Sequence, residues 1–183
     1  YNKTALDIQK QAALSHIAPN ILYENPKESF VLMDFMGKSF VPRDKHTIKN
    51  LAHFLKKLHQ IKPMSHMLPM DPFDKVKNAL EFLESKNVPK DITNKLINVL
   101  SLKNEITSKT AICHNDLNPN NLLFVNDKVI AIDWDAAGLN DPYYDLATIA
   151  MWNITIPNIE TNLLYEYLGH KPNISELKHL DIM

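Results

Sequence analysis

Two apolar tetrads, Leu122–Val125 and Val129–Ile132, flank the dipeptide Asn126-Asp127. Asn and Asp tolerate the left-handed backbone that a two-residue hairpin turn demands. The spacing therefore predicts a tight β-hairpin, with Val125 opposite Lys128 and Asn121 opposite Ile132. Asn121 and Asp133 then emerge side by side at its open end. Asp116 sits in the turn-rich stretch His114–Asn121 that feeds the same end, and a second polar cluster, Asp133–Pro142, leaves it.

That convergence has chemical content. A carboxylate, an amide oxygen and a second carboxylate are hard ligands of the kind Mg²⁺ uses alongside substrate phosphates. The series His114-x-Asp116-Leu117-x-x-x-Asn121 matches the catalytic-loop template of kinases, with the Asp as base and the Asn reaching magnesium. Asp133, just past the next strand, occupies the place of the second metal-binding acid.

The rest of the chain supplies a scaffold. Residues 4–16 carry helix formers with apolar positions at Ala5, Ile8, Ala12 and Ala13, and Ile17–Asn20 breaks that helix. Two short apolar runs, 21–23 and 30–33, bracket a polar loop and read as a hairpin. Helical stripes follow: Ile48, Leu51, Phe54, Leu55 and Leu58 behind Asp44; Phe73, Val76, Leu80 and Leu83 behind Asp71-Pro72; Ile92, Leu96, Ile97 and Leu100 behind Asp91. The Pro- and Met-rich stretch 61–70 reads as a flexible connection. Later helices are expected over 143–153 and 158–168, the second closed by Gly169, and Asn173 to Glu176 has capping-box spacing. The fold class expected is α+β: a small strand-bearing part, residues 1–40, and a larger helical part, residues 41–183, jointed near 36–42.

Composition narrows the function classes. With 20 Lys+Arg against 21 Asp+Glu the formal charge is -1, so bulk charge gives no reason to expect a nucleic-acid partner. No apolar run approaches the roughly 20 residues of a membrane span. One cysteine, Cys113, excludes an internal disulfide and suits a reducing compartment. The chain opens on Tyr1 and reads as a piece of a longer cytoplasmic protein; nothing in it specifies an oligomeric state. Three glycines in 183 residues leave no room for a glycine-rich phosphate loop within them.

The two polar clusters also resemble a known group, the choline/ethanolamine kinases and aminoglycoside phosphotransferases of the protein-kinase-like fold. The resemblance lies in His114–Leu123 and in Ile132–Ala147, the latter similar to the Ile-Asp-Trp-Glu-Tyr-Ala-Gly signature of choline-kinase-like proteins. It implies a partial N-lobe of helix plus β-hairpin before a mostly helical C-lobe carrying the catalytic-loop hairpin. It further implies ATP and Mg²⁺, with phosphoryl transfer to a small-molecule alcohol. Asp116 would accept or orient the substrate hydroxyl, Asn121 and Asp133 would hold the metal, and His114 and Asp145 would support the loop. The backbone at Met33, Asp34, Phe35 and Met36 would meet adenine. Asp135 replaces the usual Glu and is a candidate for metal or substrate contact, and Asp7 is the candidate acidic partner of a strand Lys. The glycine-rich loop and that Lys are expected upstream of residue 1.

Several readings stay open. Trp134, Tyr144 and Trp152, with Tyr143, are candidates for an aromatic wall around a quaternary ammonium group, against ordinary core packing. Cys113 reads as a core residue. The acceptor is choline- or ethanolamine-like, or alternatively of aminoglycoside or thiamine type. A non-catalytic kinase-like module is the reading from another class, and a magnesium phosphohydrolase a third.

Overall fold

Asn2 opens the first helix, its side chain accepting the N–H of Ala5, and α1 runs Lys3–Leu14. It stops without a glycine. His16 takes φ 58, its N–H bonds Ala13 at 2.9 Å, and Ile17 bonds Ala12 at 3.0 Å. These two reversed bonds satisfy carbonyls that the helix leaves unpaired. The computed structural model describes residues 2–37, 45–86, 88–106 and 109–183.

Strands β1 (Ile21–Asn25) and β2 (Phe30–Met33) pair antiparallel, Ile21 opposite Met33. The expected joint at 36–42 and the Asp44 cap fall largely on 38–44, outside the described residues. Beyond them α2 (Lys45–His59) buries its whole stripe, Ile48, Leu51, Phe54, Leu55 and Leu58. One apolar cluster joins that stripe to Ile8 and Ala12 of α1, so the two parts of the chain share a core.

The two middle helices depart from expectation. Asp71-Pro72 forms a turn in which Asp71 accepts the N–H of Phe73, and α3 starts only at Asp74 and ends at Glu84. Helix α4 covers Lys90–Leu102, and neither helix buries a residue. The two helices pack on each other as a satellite hairpin outside the core, with Ile92 and Ile97 exposed. The 61–70 stretch is docked: Met64 and Met67 pack on the core, and the Met70 N–H bonds Leu139 at 2.7 Å.

Strand β3 (Ala111–Cys113) leads to the predicted hairpin, formed by β4 (Leu122–Val125) and β5 (Lys128–Ala131). Val125 faces Lys128, and the Ile132 N–H bonds the Asn121 carbonyl at 2.9 Å. Asn126 and Asp127 take φ 50 and 60, the two left-handed residues of a type I′ turn. An unexpected strand, β6 (Gly138–Asn140), pairs back onto β3 with Cys113 opposite Gly138. The polar cluster after β5 is thereby folded under residues 114–121, which follow β3. Helices α5 (Pro142–Trp152), α6 (Ile159–Leu168) and α7 (Ile174–Ile182) complete the chain. Gly169 closes α6 at φ 80, and Asn173 and Glu176 form the capping box. Among the described residues no helix is long and apolar enough to cross a membrane.

Candidate active site

The site is assembled where β3 and β4–β5 deliver two polar segments to the same end of the small sheets. Asp116 and Asn121 are in direct contact there. Asn121 Nδ2 donates to the Asp116 carboxylate at 2.9 Å and to its carbonyl, also at 2.9 Å. Asn118 Nδ2 donates to the other carboxylate oxygen at 3.1 Å. Two amides thus hold the acid. With its nitrogen spent on Asp116, Asn121 has its amide oxygen left to act as a ligand atom.

Asp133 follows directly on Ile132, whose N–H is bonded to Asn121. It takes a left-handed φ of 62 and is exposed. With Asp135, Met33 and Gln9 it lines a cleft of about 400 Å³ between α1, β2 and the second polar segment. The α1 residues lining that cleft are Asn2, Ala5, Leu6 and Gln9, a spacing of one helical face; Asp7 is not among them. Gln9 is the polar α1 side chain that lines the cleft. Asp135 is exposed, and its carbonyl accepts from Asn2 at 3.1 Å.

Beneath the loop lies a buried brace. One oxygen of Asp145 accepts the N–H of His114 at 2.9 Å, and the other accepts that of Asn115 at 2.9 Å. Asn115 has φ 66, a conformation it tolerates because its side chain is tied down on both sides. Its Nδ2 donates to Ala136, and its Oδ1 accepts from Asn140 at 2.8 Å. His114 Nε2 donates to the Ile132 carbonyl at 3.0 Å, which spans the two polar segments. Burial pushes the His114 imidazole below its ordinary value, with Asp145 acting against that shift. The ring is therefore neutral in the fold and leans on Trp134, centroids 4.7 Å apart.

The brace extends outward. His59, at the end of α2, stands 3.3 Å from Asp145 through Nε2 and 2.8 Å from the Tyr167 hydroxyl through Nδ1. On the far side of α5, His179 meets Asp141 at 2.8 Å and stacks on Tyr143 with ring centroids 4.0 Å apart. Asp141 also caps α5 through the N–H of Tyr143 at 2.9 Å.

The aromatic wall is not assembled from the three expected rings. Trp134 is 3% exposed, and its indole N–H is spent on the Ala131 carbonyl at 2.9 Å. Trp152 is 51% exposed at the far end of α5, eight residues or about 12 Å from Tyr144. Tyr144 alone faces a hollow of about 390 Å³, shared with Met70, Asp71, Asn115 and Asn140. Burial opposes ionisation of Asp71, but the Lys103 ammonium and the Phe73 N–H outweigh it and hold this acid below the usual carboxylate value.

At the expected hinge, Met33 lines the cleft and Phe35 is 91% exposed. The Asp34 N–H bonds the Asn20 carbonyl at 3.0 Å and its carboxylate accepts from Asn20 at 2.7 Å, so that N–H is already engaged. Met36 faces a different hollow, beside Asn20 and Ile130.

Sequence reasoning missed Asn115, Asn140, His59 and Tyr167. Asn140-Asp141-Pro142 did carry a signal, a cap residue followed by Pro at the first helical position. It dates the helix start and hence the end of β6.

Comparison with known proteins places these features in a family. Residues 16–176 match the model of the phosphotransferase enzyme family. Protein LicA of Haemophilus influenzae is 38% identical over 82 residues, covering 42% of this chain and 31% of that protein. An uncharacterized protein of Metamycoplasma hominis is 30% identical over 150 residues, 80% of this chain and 29% of that one. The chain therefore spans about a third of these relatives' length. A choline/ethanolamine kinase family protein from Mesorhizobium loti superposes with a TM-score of 0.77 at 19% identity, over 93% of this chain and 61% of that chain. Choline kinase LicA from Streptococcus pneumoniae gives 0.71 at 18%, over 96% and 63%. The fold is that of these kinases, and the chain belongs to the phosphotransferase enzyme family.

Proposed function

We propose that this chain carries the catalytic lobe of a small-molecule kinase, one that moves the γ-phosphoryl group of ATP to the hydroxyl of a choline- or ethanolamine-like alcohol. The observation that carries this reading is the Asp116–Asn121 contact at the mouth of the β4–β5 hairpin, with Asp133 one residue beyond the bond that closes it. The name LicA, shared by the Haemophilus relative and by the choline kinase of Streptococcus pneumoniae, supports a choline-like acceptor, while the fold itself is shared equally with macrolide phosphotransferases.

In the proposed reaction Asp116 orients the acceptor hydroxyl and takes its proton. The hydroxyl oxygen attacks the γ-phosphorus in line, the bond to the bridging β–γ oxygen breaks, and ADP leaves. Held by Asn121 and Asn118, the carboxylate needs no rearrangement to do this, so catalysis draws mainly on positioning. The Asn121 amide oxygen and the Asp133 carboxylate, both hard donors, fit magnesium, with Asp135 as a further candidate. Magnesium, when bound, would neutralise charge developing on the β- and γ-phosphates. Met33 at the cleft edge, with the backbone that follows it to Met36, is the proposed adenine contact, the N–H of Asp34 being already engaged by Asn20. For the acceptor, the hollow beside Asn115 offers the Tyr144 ring and the Asp71 carboxylate, a pairing that suits an organic cation.

The test is substitution of Asp116 by Asn in the protein expressed from its full reading frame. ATP consumption with choline, ethanolamine, thiamine and kanamycin is then compared with the unsubstituted protein. Loss of turnover with one amine-bearing alcohol, at unchanged thermal stability, is expected. Turnover that survives D116N overturns the assignment, and preference for kanamycin or thiamine overturns the acceptor class.

A further inference from the structure

We infer that the junction of α2, β3 and α5 is a binding site for a thiophilic divalent ion of the zinc class, held by His59, Cys113 and Asp145. These residues come from three separate elements and each turns one ligand atom inward. The three atoms lie within 4.8 Å of one another. Points no farther apart than that share a centre within about 2.8 Å of each, the side divided by √3. Zinc bonds of roughly 2.0 Å to nitrogen and oxygen and 2.3 Å to sulfur then require only small inward movements.

The surroundings are those of a metal site rather than of a bare cluster. A ligating imidazole is usually fixed through its other nitrogen, and here the Tyr167 hydroxyl stands 2.8 Å from Nδ1, leaving Nε2 directed at Asp145. The carboxylate is likewise held, by the N–H groups of His114 and Asn115. It keeps lone pairs beyond those two bonds. The Cys113 thiol donates to the Asn140 carbonyl at 3.6 Å, which places a further oxygen beside the cluster. Cys113 has no part in the proposed phosphoryl transfer.

Charge favours the ion as well. On binding, the thiol proton is released, and the imidazole moves its proton to Nδ1 and stays neutral. A thiolate and a carboxylate then cancel the dication, and a neutral assembly is what a buried core tolerates. Burial, reinforced by Asp145 and Asp141, pushes the Cys113 thiol up. One proton, that of the thiol, leaves for each ion bound. Because the ion would share Asp145 with the loop that carries Asp116, its binding stiffens that loop whatever reaction the loop performs.

The experiment uses the full chain, reduced and freed of metal with a chelator, and titrated with Co²⁺ and then Zn²⁺. One equivalent of Co²⁺ is expected to give a sulfur-to-cobalt charge-transfer band in the near ultraviolet, displaced by Zn²⁺ and absent from Cys113→Ala. Zinc should raise the melting temperature of the parent chain and not that of C113A. X-ray absorption at the zinc edge of the parent chain, which needs no variant, should show one sulfur among nitrogen and oxygen neighbours. A shell without sulfur, as surface histidines alone would give, overturns the site. So does a band that survives in C113A, or no stoichiometric binding at all. None of these readouts depends on ATP or an acceptor, so they stand or fall apart from the kinase assignment.

Discussion

Asp145 Oδ2 accepts the main-chain N–H of His114 at 2.9 Å across 31 residues of sequence. The bond ties the first turn of α5 to the start of the catalytic loop, and the second oxygen does the same for Asn115. Replacing Asp145 by Asn puts an amide nitrogen against one of two buried N–H groups. A donor facing a donor leaves both unsatisfied, at a cost of about 3 kcal/mol. Urea denaturation of metal-free D145N should show the loss as a lower midpoint at unchanged slope. A midpoint within error of the parent would mean that the brace carries no weight.

Tyr167 and His59 extend that brace by two more side chains. Removing the hydroxyl in Tyr167→Phe should cost about 1 kcal/mol, the usual value of one buried hydrogen bond. The sharper quantity is the coupling. If Tyr167 acts through His59, Y167F should cost almost nothing once His59 is replaced by Ala. The double-mutant cycle would then return an interaction energy of about 1 kcal/mol. Additive losses would mean that the two residues are merely neighbours.

Why the hairpin was legible in the sequence and the brace was not comes down to range. The β4–β5 register follows from a two-residue turn, a local signal, and Asn126-Asp127 needs no partner to declare itself. Strand β6 consists of Gly138, Leu139 and Asn140, too short and too polar to announce a strand. It exists because β3 offers it a ladder. His59 ends a readable helix, but its partner lies 86 residues away. Trp134, next to a metal-binding candidate, suggested a ligand wall; in the fold its indole bonds Ala131 and its ring leans on His114, and burial of that kind is a tertiary fact. The α3 and α4 stripes have the period of core helices, yet neither helix buries a residue, and periodicity cannot tell a core helix from a peripheral one.

His114 should weaken the fold in acid. Its folded value lies below its ordinary 6.5, chiefly through burial, so protons bind the unfolded chain more readily than the folded one. Stability should thus be unaffected by this residue well above pH 6.5 and fall progressively as pH drops through and below that value. In His114→Gln, which cannot charge, the melting temperature should decline less steeply between pH 7.5 and 5.5 than in the parent. The slope is the test, since the substitution also shifts the absolute value. Parallel slopes would assign the acid sensitivity to other groups.

Asp127 reports on the turn itself. At φ 60 it occupies the left-handed region, where a Cβ costs most residues about 1 kcal/mol and glycine nothing. Asp127→Gly should therefore match or slightly exceed the parent in stability. Asp127→Ala should lose about 1 kcal/mol, read from denaturation midpoints. Equal losses in both would point to a side-chain role and away from the type I′ geometry.

Asn121 couples stability to chemistry, and its two functions can be separated. Its nitrogen holds Asp116, and its oxygen is the proposed metal ligand. Asn121→Asp keeps an oxygen for the ion but sets a second carboxylate against Asp116 in place of a donor. Asn121→Ala removes both. If the contact with Asp116 is what matters, both variants should lose about a hundredfold or more in kcat, and added magnesium should rescue neither. If the metal contact dominates, raising magnesium should restore turnover in N121D and not in N121A. Steady-state rates across a magnesium series in the full-length protein distinguish the two, and undiminished kcat in N121A would remove Asn121 from the site.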